Sequence, residues 1–559
     1  MTSPRYGAPI SSRRINSPLS PTQRPSPDAW RLALYILLGT GIFLRLFHFI
    51  HNRSLWIDEV YVALSLIRMD FGRLAQPALL YEQKAPILFL WLCRGAVRLF
   101  GEQEQALRLV PLLSGLAALL LFVPVARALL RPLGAAVAVG ALALAPPLIY
   151  HTVEIKQYSA ELLATVVALW LFLRYRSRSD WPALVQWSLA GAVLIWFSYA
   201  VIFVLMGIAG ATSLLYLLRR RWQPFFRHLL PFGLWAVSFG AYYLLFTSRY
   251  TESGWLVYWF RTLRAFMPLP PTSLADLKWP FYQLYIALDY PLGLLLDIKT
   301  WGSTLPRLLL RAVPLACGVV GAWSFFKKDR AVFSLLLFAV LLTMLASGME
   351  KYPFYERLLV FLAPVFILFI ASGCDYLSQR LSAGQWAGYV LPGLLLLPPL
   401  LASARQVADP DLFGGYKKSY FREGFQHINA DYQLGDVVYL YWDMIPPYLY
   451  YKQAYPLKFK AVEGQDYRDT AHSMTDYVNK TATDFTTAVG PHRGWLICDD
   501  LFKGKIGDYT GRPAWYYQES DISLFRKLHR RISAKTGQQH QDIFWRRTVH
   551  ACLFAAPVR

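Results

Sequence analysis

The sequence predicts an α-helical polytopic membrane protein with a small extracytoplasmic α/β domain in its C-terminal part. Three observations carry that reading. Of the 559 residues, 55% are hydrophobic and 16% aromatic, and the mean hydropathy is +0.31, which is rare in soluble domains. Apolar runs of about 17–25 residues, each long enough to cross a bilayer, recur as far as about residue 402. Lys and Arg collect in every second connection between these runs, as loops retained at the cytoplasmic face do.

In chain order, residues 1–28 (MTSPRYGAPISSRRINSPLSPTQRPSPD) combine Pro, Ser and Arg without any apolar period and are expected to form a disordered, basic cytoplasmic tail. It leads into a full-length span, Ala29 to Ile50, without a small-residue cleavage pattern, so a signal peptide is not expected. Further spans are expected at about 107–126, 134–150, 159–173, 182–197, 200–217, 229–247, 305–325, 331–347, 357–374 and 385–402. Placing Arg127 and Arg131, Arg174 to Arg178, Arg219 to Arg227 and Lys327 to Arg330 inside closes the alternation on one condition. Residues 86–100 (PILFLWLCRGAVRLF) must not cross; the segment is short and carries Arg94 and Arg98, so an interfacial or re-entrant helix is expected. The map has about eleven spans, a cytoplasmic N-terminus and an external C-terminus. The aromatic, basic stretch TESGWLVYWFRTLRAFMPL in the 248–304 connection reads as a helix lying in the interface, or simply as an anchor.

From about residue 405 charged residues, Asn and Gly return, dividing the chain into a transmembrane unit, 29–404, and a soluble unit, 405–559. Val437 to Trp442, Leu457 to Val462, Gly494 to Asp499 and Thr548 to Ala555 read as strands. The formal charge of +22, from 57 Lys and Arg against 35 Asp and Glu, sits largely in short loops, so no nucleic-acid partner is expected. None of the five cysteines has metal-ligand spacing. Cys498 and Cys552 can join in a disulfide if the soluble unit lies outside the cytoplasm, a point that spacing leaves open.

The polar residues that invite chemistry lie in the expected external connections. Asp58 and Glu59 follow the first span; side chains adjacent on a helix diverge by about 100°, so one can act as a base while the other braces it. Both can equally be ordinary first-turn acids that favour the helix dipole. Lys84 stands just before Ala85-Pro86 and an apolar run, where its ammonium suits a phosphate at the membrane surface or merely snorkels toward headgroups. Glu154 and Lys156, in EIKQY ending at Tyr158, share that face or neutralise each other. Arg357 opens a later span, as a site residue or as an anchor.

Taken together these stretches resemble the GT-C class of polytopic glycosyltransferases. Within it they are similar to the family-39-like enzymes, among them the protein O-mannosyltransferases and the lipid A aminoarabinose transferases. Trp56-Ile57-Asp58-Glu59 sits where that family keeps an acidic motif. Residues 84–92 (KAPILFLWL) resemble K-P-P-L-x-Y-W-L, with Ala85 in place of proline. Residues 100–109 (FGEQEQALRL) resemble F-G-x-x-E-x-A-x-R-L, and Glu154-x-Lys156-x-Tyr158 resembles E-x-R-x-Y, with lysine in place of arginine. The resemblance covers about residues 30–400 and implies a GT-C-like fold. It also implies transfer of a sugar, with inversion, from a polyprenyl-phosphate donor to a protein, lipid or polysaccharide acceptor at the outer face of a cell inner membrane. Asp58, with Glu59, would be catalytic; Lys84, Glu154, Lys156, Tyr158 and Arg357 would bind substrate. No cofactor and no metal are implied. The competing class is a transporter or lipid-linked-sugar flippase using the same charged groups as a relay.

Overall fold

The computed structural model describes residues 27–76, 79–249, 254–295, 304–380, 387–415, 417–499, 511–518, 524–537 and 540–554. All but the last two residues of the expected N-terminal tail lie outside these residues. The chain builds α1 (Pro27–His51), α2 (Ile57–Arg68), α3 (Phe71–Leu74), α4 (Ile87–Phe100), α5 (Glu104–Leu129), α6 (Pro132–Leu144), α7 (Pro146–Tyr150) and α8 (Tyr158–Tyr175). It continues through α9 (Trp181–Phe197), α10 (Val201–Leu218), α11 (Trp222–Tyr242), α12 (Trp255–Thr262), α13 (Leu274–Asp289), α14 (Thr304–Lys328), α15 (Arg330–Gly348), α16 (Ala363–Arg380) and α17 (Ala387–Ala408).

Among the described residues, eight helices are long and apolar enough to cross a membrane, and nine spans result if the bent pair α6–α7 counts as one. That is fewer than the eleven expected. The helices α9, of 17 residues, and α14, of 25, fill the two remaining positions of the sequence map but fall outside that set. At 14 residues, α4 is about 21 Å long, short of a hydrocarbon core of about 30 Å. Its Arg94 donates to the Leu66 and Ile67 carbonyls at the end of α2 at 2.7 and 3.3 Å, so α4 is held against α2.

Two packing devices follow from single residues. Lipid offers helices little hydrophobic incentive to associate, so close approach through small residues matters. A Cβ at Gly321 would stand 1.7 Å from the Phe369 carbonyl oxygen, and one at Gly373 would stand 1.8 Å from that of Cys317. These two glycines set the contact of α14 with α16. The second device is at the α6–α7 bend of 55°. Pro146 and Pro147 have no N–H, which orphans the carbonyls four residues earlier. Buried Arg45 of α1 supplies the missing donors, reaching Ala143 O and Leu142 O at 3.0 Å each.

The soluble unit continues with α18 (Phe421–Asp431), β1 (Val437–Leu440), α19 (Ile445–Ala454), β2 (Val462–Glu463), α20 (Met474–Val489), β3 (Gly494–Asp499), α21 (Ala514–Gln518), α22 (Leu524–Thr536), β4 (His540–Arg546) and β5 (Val549–Phe554). The sheet order is β2-β1-β3-β5-β4, parallel about β1 and antiparallel from β3 outward. Strand alternation splits its core. Val438, Leu440, Trp495 and Ile497 pack with Phe421, Phe425 and Tyr448 and join the core of the membrane unit. Tyr439, Tyr441, Leu496 and Cys498 face Tyr477, Phe485, Leu528 and Ile532 on the other side.

Three expectations are corrected here. The run 457–462 is almost entirely irregular, with only Val462–Glu463 paired, because it crosses the sheet edge after α19. The strand at 540–546 has no clean alternation in the sequence and exists by pairing with β5. Cys498 lies opposite His550 and Cys552 opposite Leu496, so the two cysteines are out of register and remain thiols.

Candidate active site

The site grows from the N-terminal turn of α2. Chain leaving α1 passes Arg53-Ser54-Leu55 and enters α2 at Ile57, so Asp58 and Glu59 fall in the first turn with side chains directed apart. Their surroundings differ completely. Glu59 is sealed from solvent and accepts five hydrogen bonds. These come from Arg53 at 2.7 Å, from Arg108 at 3.0 Å to each oxygen, from the Ile155 N–H at 3.0 Å and from the Trp56 N–H at 3.3 Å. That saturates a carboxylate. Glu59 therefore ties α2, α5 and the turn before α8 together and has no capacity left for a substrate.

Asp58 Oδ2 accepts from Arg357 Nη1 at 3.0 Å and lies 4.0 Å from Lys156 Nζ. The Arg357 guanidinium also lies 5.7 Å from the centre of the Trp56 ring. Lys156 donates to Gln83 Oε1 at 2.5 Å. Burial pulls the Lys156 pKa down, and neighbouring Asp58 only partly opposes it. Lys84, half-buried, follows Gln83 in the chain just before α4.

Glu154 comes into place because of the α6–α7 bend and because Gly115 lets the following turn sit against α5. A Cβ at Gly115 would lie 2.1 Å from Thr152 Cγ2. Glu154 accepts from Trp56 Nε1 at 3.0 Å and meets His151 Nδ1 at 2.6 Å. His151 Nε2 contacts Tyr290 OH at 2.5 Å, which accepts from Lys417 Nζ at 2.9 Å. Tyr158 packs edge-on against His151 at 4.8 Å. Burial would raise the Glu154 pKa, but His151, Lys417 and Arg357 outweigh it and hold the carboxyl below its usual range. Burial lowers the Lys417 pKa to about 8, and Arg357 adds to that.

Asp58, Glu59, Glu154, Lys156, Tyr158 and Arg357 thus converge, and Lys84 is next in the chain to Gln83, the hydrogen-bond partner of Lys156. Sequence reasoning had no roles for Arg53, Arg108, His151, Tyr290 and Lys417. Arg108 lay inside the quoted 100–109 motif and was readable there; Lys417, contributed by the connection into the soluble unit, had no local signal. That unit also grips the connection between α1 and α2. Tyr451 OH contacts Ser54 Oγ at 3.0 Å and accepts the Leu55 N–H at 2.9 Å. Arg422 reaches Glu104 at 3.0 Å and the Asn52 carbonyl at 2.8 Å. Among the described residues no group of three or more His, Cys, Asp or Glu is arranged to hold a metal ion.

The fold is that of a polytopic, mainly helical membrane chain with a small C-terminal sheet. Residues 84–260 match the family model described as dolichyl-phosphate-mannose-protein mannosyltransferase. The fold is similar to the crystal structure of ArnT from Cupriavidus metallidurans bound to undecaprenyl phosphate, at 14% identity and a TM-score of 0.51, covering 94% of this chain and 98% of that one. The apo form of the same protein aligns at 15% identity over the same shares, with a TM-score of 0.47. Arabinofuranosyltransferase AftD from Mycobacteria aligns at 14% identity over 96% of this chain and 42% of its own, with a TM-score of 0.42. No curated protein matches by sequence.

Proposed function

We propose that the protein transfers a sugar from a polyprenyl-phosphate donor to an acceptor hydroxyl at the outer face of a cell inner membrane. In this arrangement the N-terminus is cytoplasmic and the soluble unit external. The observation that carries the reading is Asp58, a buried carboxylate held between Arg357 and Lys156. Support also comes from the family match over residues 84–260. Further support is the GT-C-type fold shared with a protein crystallised with undecaprenyl phosphate.

The chemistry is one inverting displacement. The acceptor oxygen bonds to the anomeric carbon, the bond from that carbon to the phosphate oxygen breaks, and its electron pair leaves with the lipid phosphate. Asp58 accepts the hydroxyl proton. Neutralising Asp58 removes the counter-charge of Arg357 at the moment when the phosphate gains charge, so Arg357 and Lys84 then stabilise the leaving group. Lys156 and Glu154 orient the donor and acceptor, Tyr158 walls the sugar, and Glu59 braces the turn that carries Asp58. Purified protein should release radiolabelled sugar from a polyprenyl-phosphate donor onto an acceptor. Movement of intact donor across vesicles without cleavage would instead establish the flippase reading.

A further inference from the structure

We infer that one face of α8, formed by Gln157, Glu161 and Thr165, is the subsite that recognises the hydroxyl groups of the transferred sugar. The inference rests on the glycosyltransferase reading and adds to it the groups that choose the sugar. The three residues are spaced i, i+4 and i+8 and so share one face of α8. They are 9%, 2% and 0% exposed. Gln157 Oε1, Glu161 Oε2 and Thr165 Oγ1 are all buried with no hydrogen-bond partner among the described residues. Buried side-chain atoms without a partner occur elsewhere among the described residues, but three spaced along one face of a membrane helix call for a ligand, because an unmatched polar group is costly there and an intramembrane carboxyl most of all.

This face is separate from the one that packs on α5, where Ser159 donates to the Pro111 carbonyl at 3.0 Å. Its neighbours connect the two halves of the proposed chemistry. Tyr158, the next residue after Gln157, lies within electrostatic reach of Glu161 and also of Asp58 and Arg357. Tyr199 and Tyr352 lie within electrostatic reach of Glu161. Tyr199 bonds to Tyr242, which in turn meets the backbone of Ile87, the first residue of α4 and three after Lys84. Through these tyrosines the face is linked both to the Asp58–Arg357 pair and to the N-terminus of α4. A carboxyl, an amide oxygen and a hydroxyl among tyrosine rings match a hydroxylated ring with apolar faces.

The test compares purified wild type and Glu161→Gln on a panel of polyprenyl-phosphate hexoses, pentoses and deoxy sugars. The expected result is a loss in kcat/KM of about 10²-fold or more for the preferred sugar. A deoxy donor lacking the contacted hydroxyl should be used nearly equally by both proteins. Competitive inhibition by sugar-free polyprenyl phosphate should be unchanged. A loss of equal size across the whole panel, or no loss, overturns the subsite and leaves the glycosyltransferase reading standing. If Glu161→Gln does not fold, Thr165→Val in the same panel decides by the same ratios. A wild-type protein that cleaves no donor in the panel overturns the reading itself, and the subsite with it.

Discussion

Asp58 and Glu59 are neighbours in the chain with opposite circumstances, and substitutions should separate them. Asp58→Asn keeps size and most hydrogen-bonding geometry, and Asn caps a helix as well as Asp does. As a proton acceptor, however, it is lost, so turnover should fall about 10²–10⁴-fold in a protein of normal yield and normal donor binding. Near-normal transfer by Asp58→Asn would remove Asp58 as the base. Glu59→Gln leaves Arg53 and Arg108 buried against a neutral group. Breaking a buried pair in this way costs about 3–5 kcal/mol. The prediction is poor yield and a lowered melting temperature in detergent, not a well-folded enzyme with slow turnover. Both carboxylates were visible in Trp56-Ile57-Asp58-Glu59, and helix geometry already said they diverge. Which one would be sealed off was not visible, because the arginines that claim Glu59 come from the connection after α1 and from α5.

At the scale of elements, α4 is the segment on which the topology depends. If it does not cross, Arg73 before α4 and Gln103 after it lie on the same side of the membrane. Both positions are exposed, and the five native cysteines are all buried. Single cysteines introduced at Arg73 and Gln103 should therefore label from the same side with an impermeant thiol reagent; labelling from opposite sides would show that α4 crosses and would sink the map. The docking of the soluble unit is equally testable. Arg422→Ala leaves sealed Glu104 with only its tyrosine partner, Tyr455. Limited proteolysis should then release the soluble unit faster than in wild type, with the membrane unit still folded. Spans were legible because apolar runs report the bilayer directly. The strand 540–546 was not, because its order comes from a neighbouring strand and not from its own period.

For the whole molecule, the contact between its two units should appear in the pH dependence. Lys417 comes from the connection into the soluble unit yet lies within electrostatic reach of Asp58 and Arg357, with a pKa lowered to about 8 by burial. As pH rises through about 8 the site loses a positive charge, so affinity for the anionic donor should weaken. Stability moves the other way. The unfolded chain holds this proton up to the ordinary value of 10.5 while the folded chain has released it, so Lys417's contribution to stability rises between about 8 and 10.5. A donor-binding titration should show the inflection in wild type and lose it in Lys417→Arg, whose guanidinium stays charged. An unchanged inflection in that variant would assign it to another group.

By itself the sequence determined the membrane class, the order of apolar segments, the shortness of 86–100 and the acidic, basic and aromatic motifs in the connections. Each of these is written locally, in hydropathy, length or the neighbours of a motif. Tertiary structure decided what no local pattern contains. Arg45 completes the broken α6, Glu59 is closed off by two arginines, and Asp58 is left between Arg357 and Lys156. A lysine from beyond the last span enters the cluster, and Gln157, Glu161 and Thr165 each keep a buried oxygen with no hydrogen-bond partner among the described residues. The reason is physical: a buried charge is defined by what surrounds it, and those surroundings come from parts of the chain that only folding brings together.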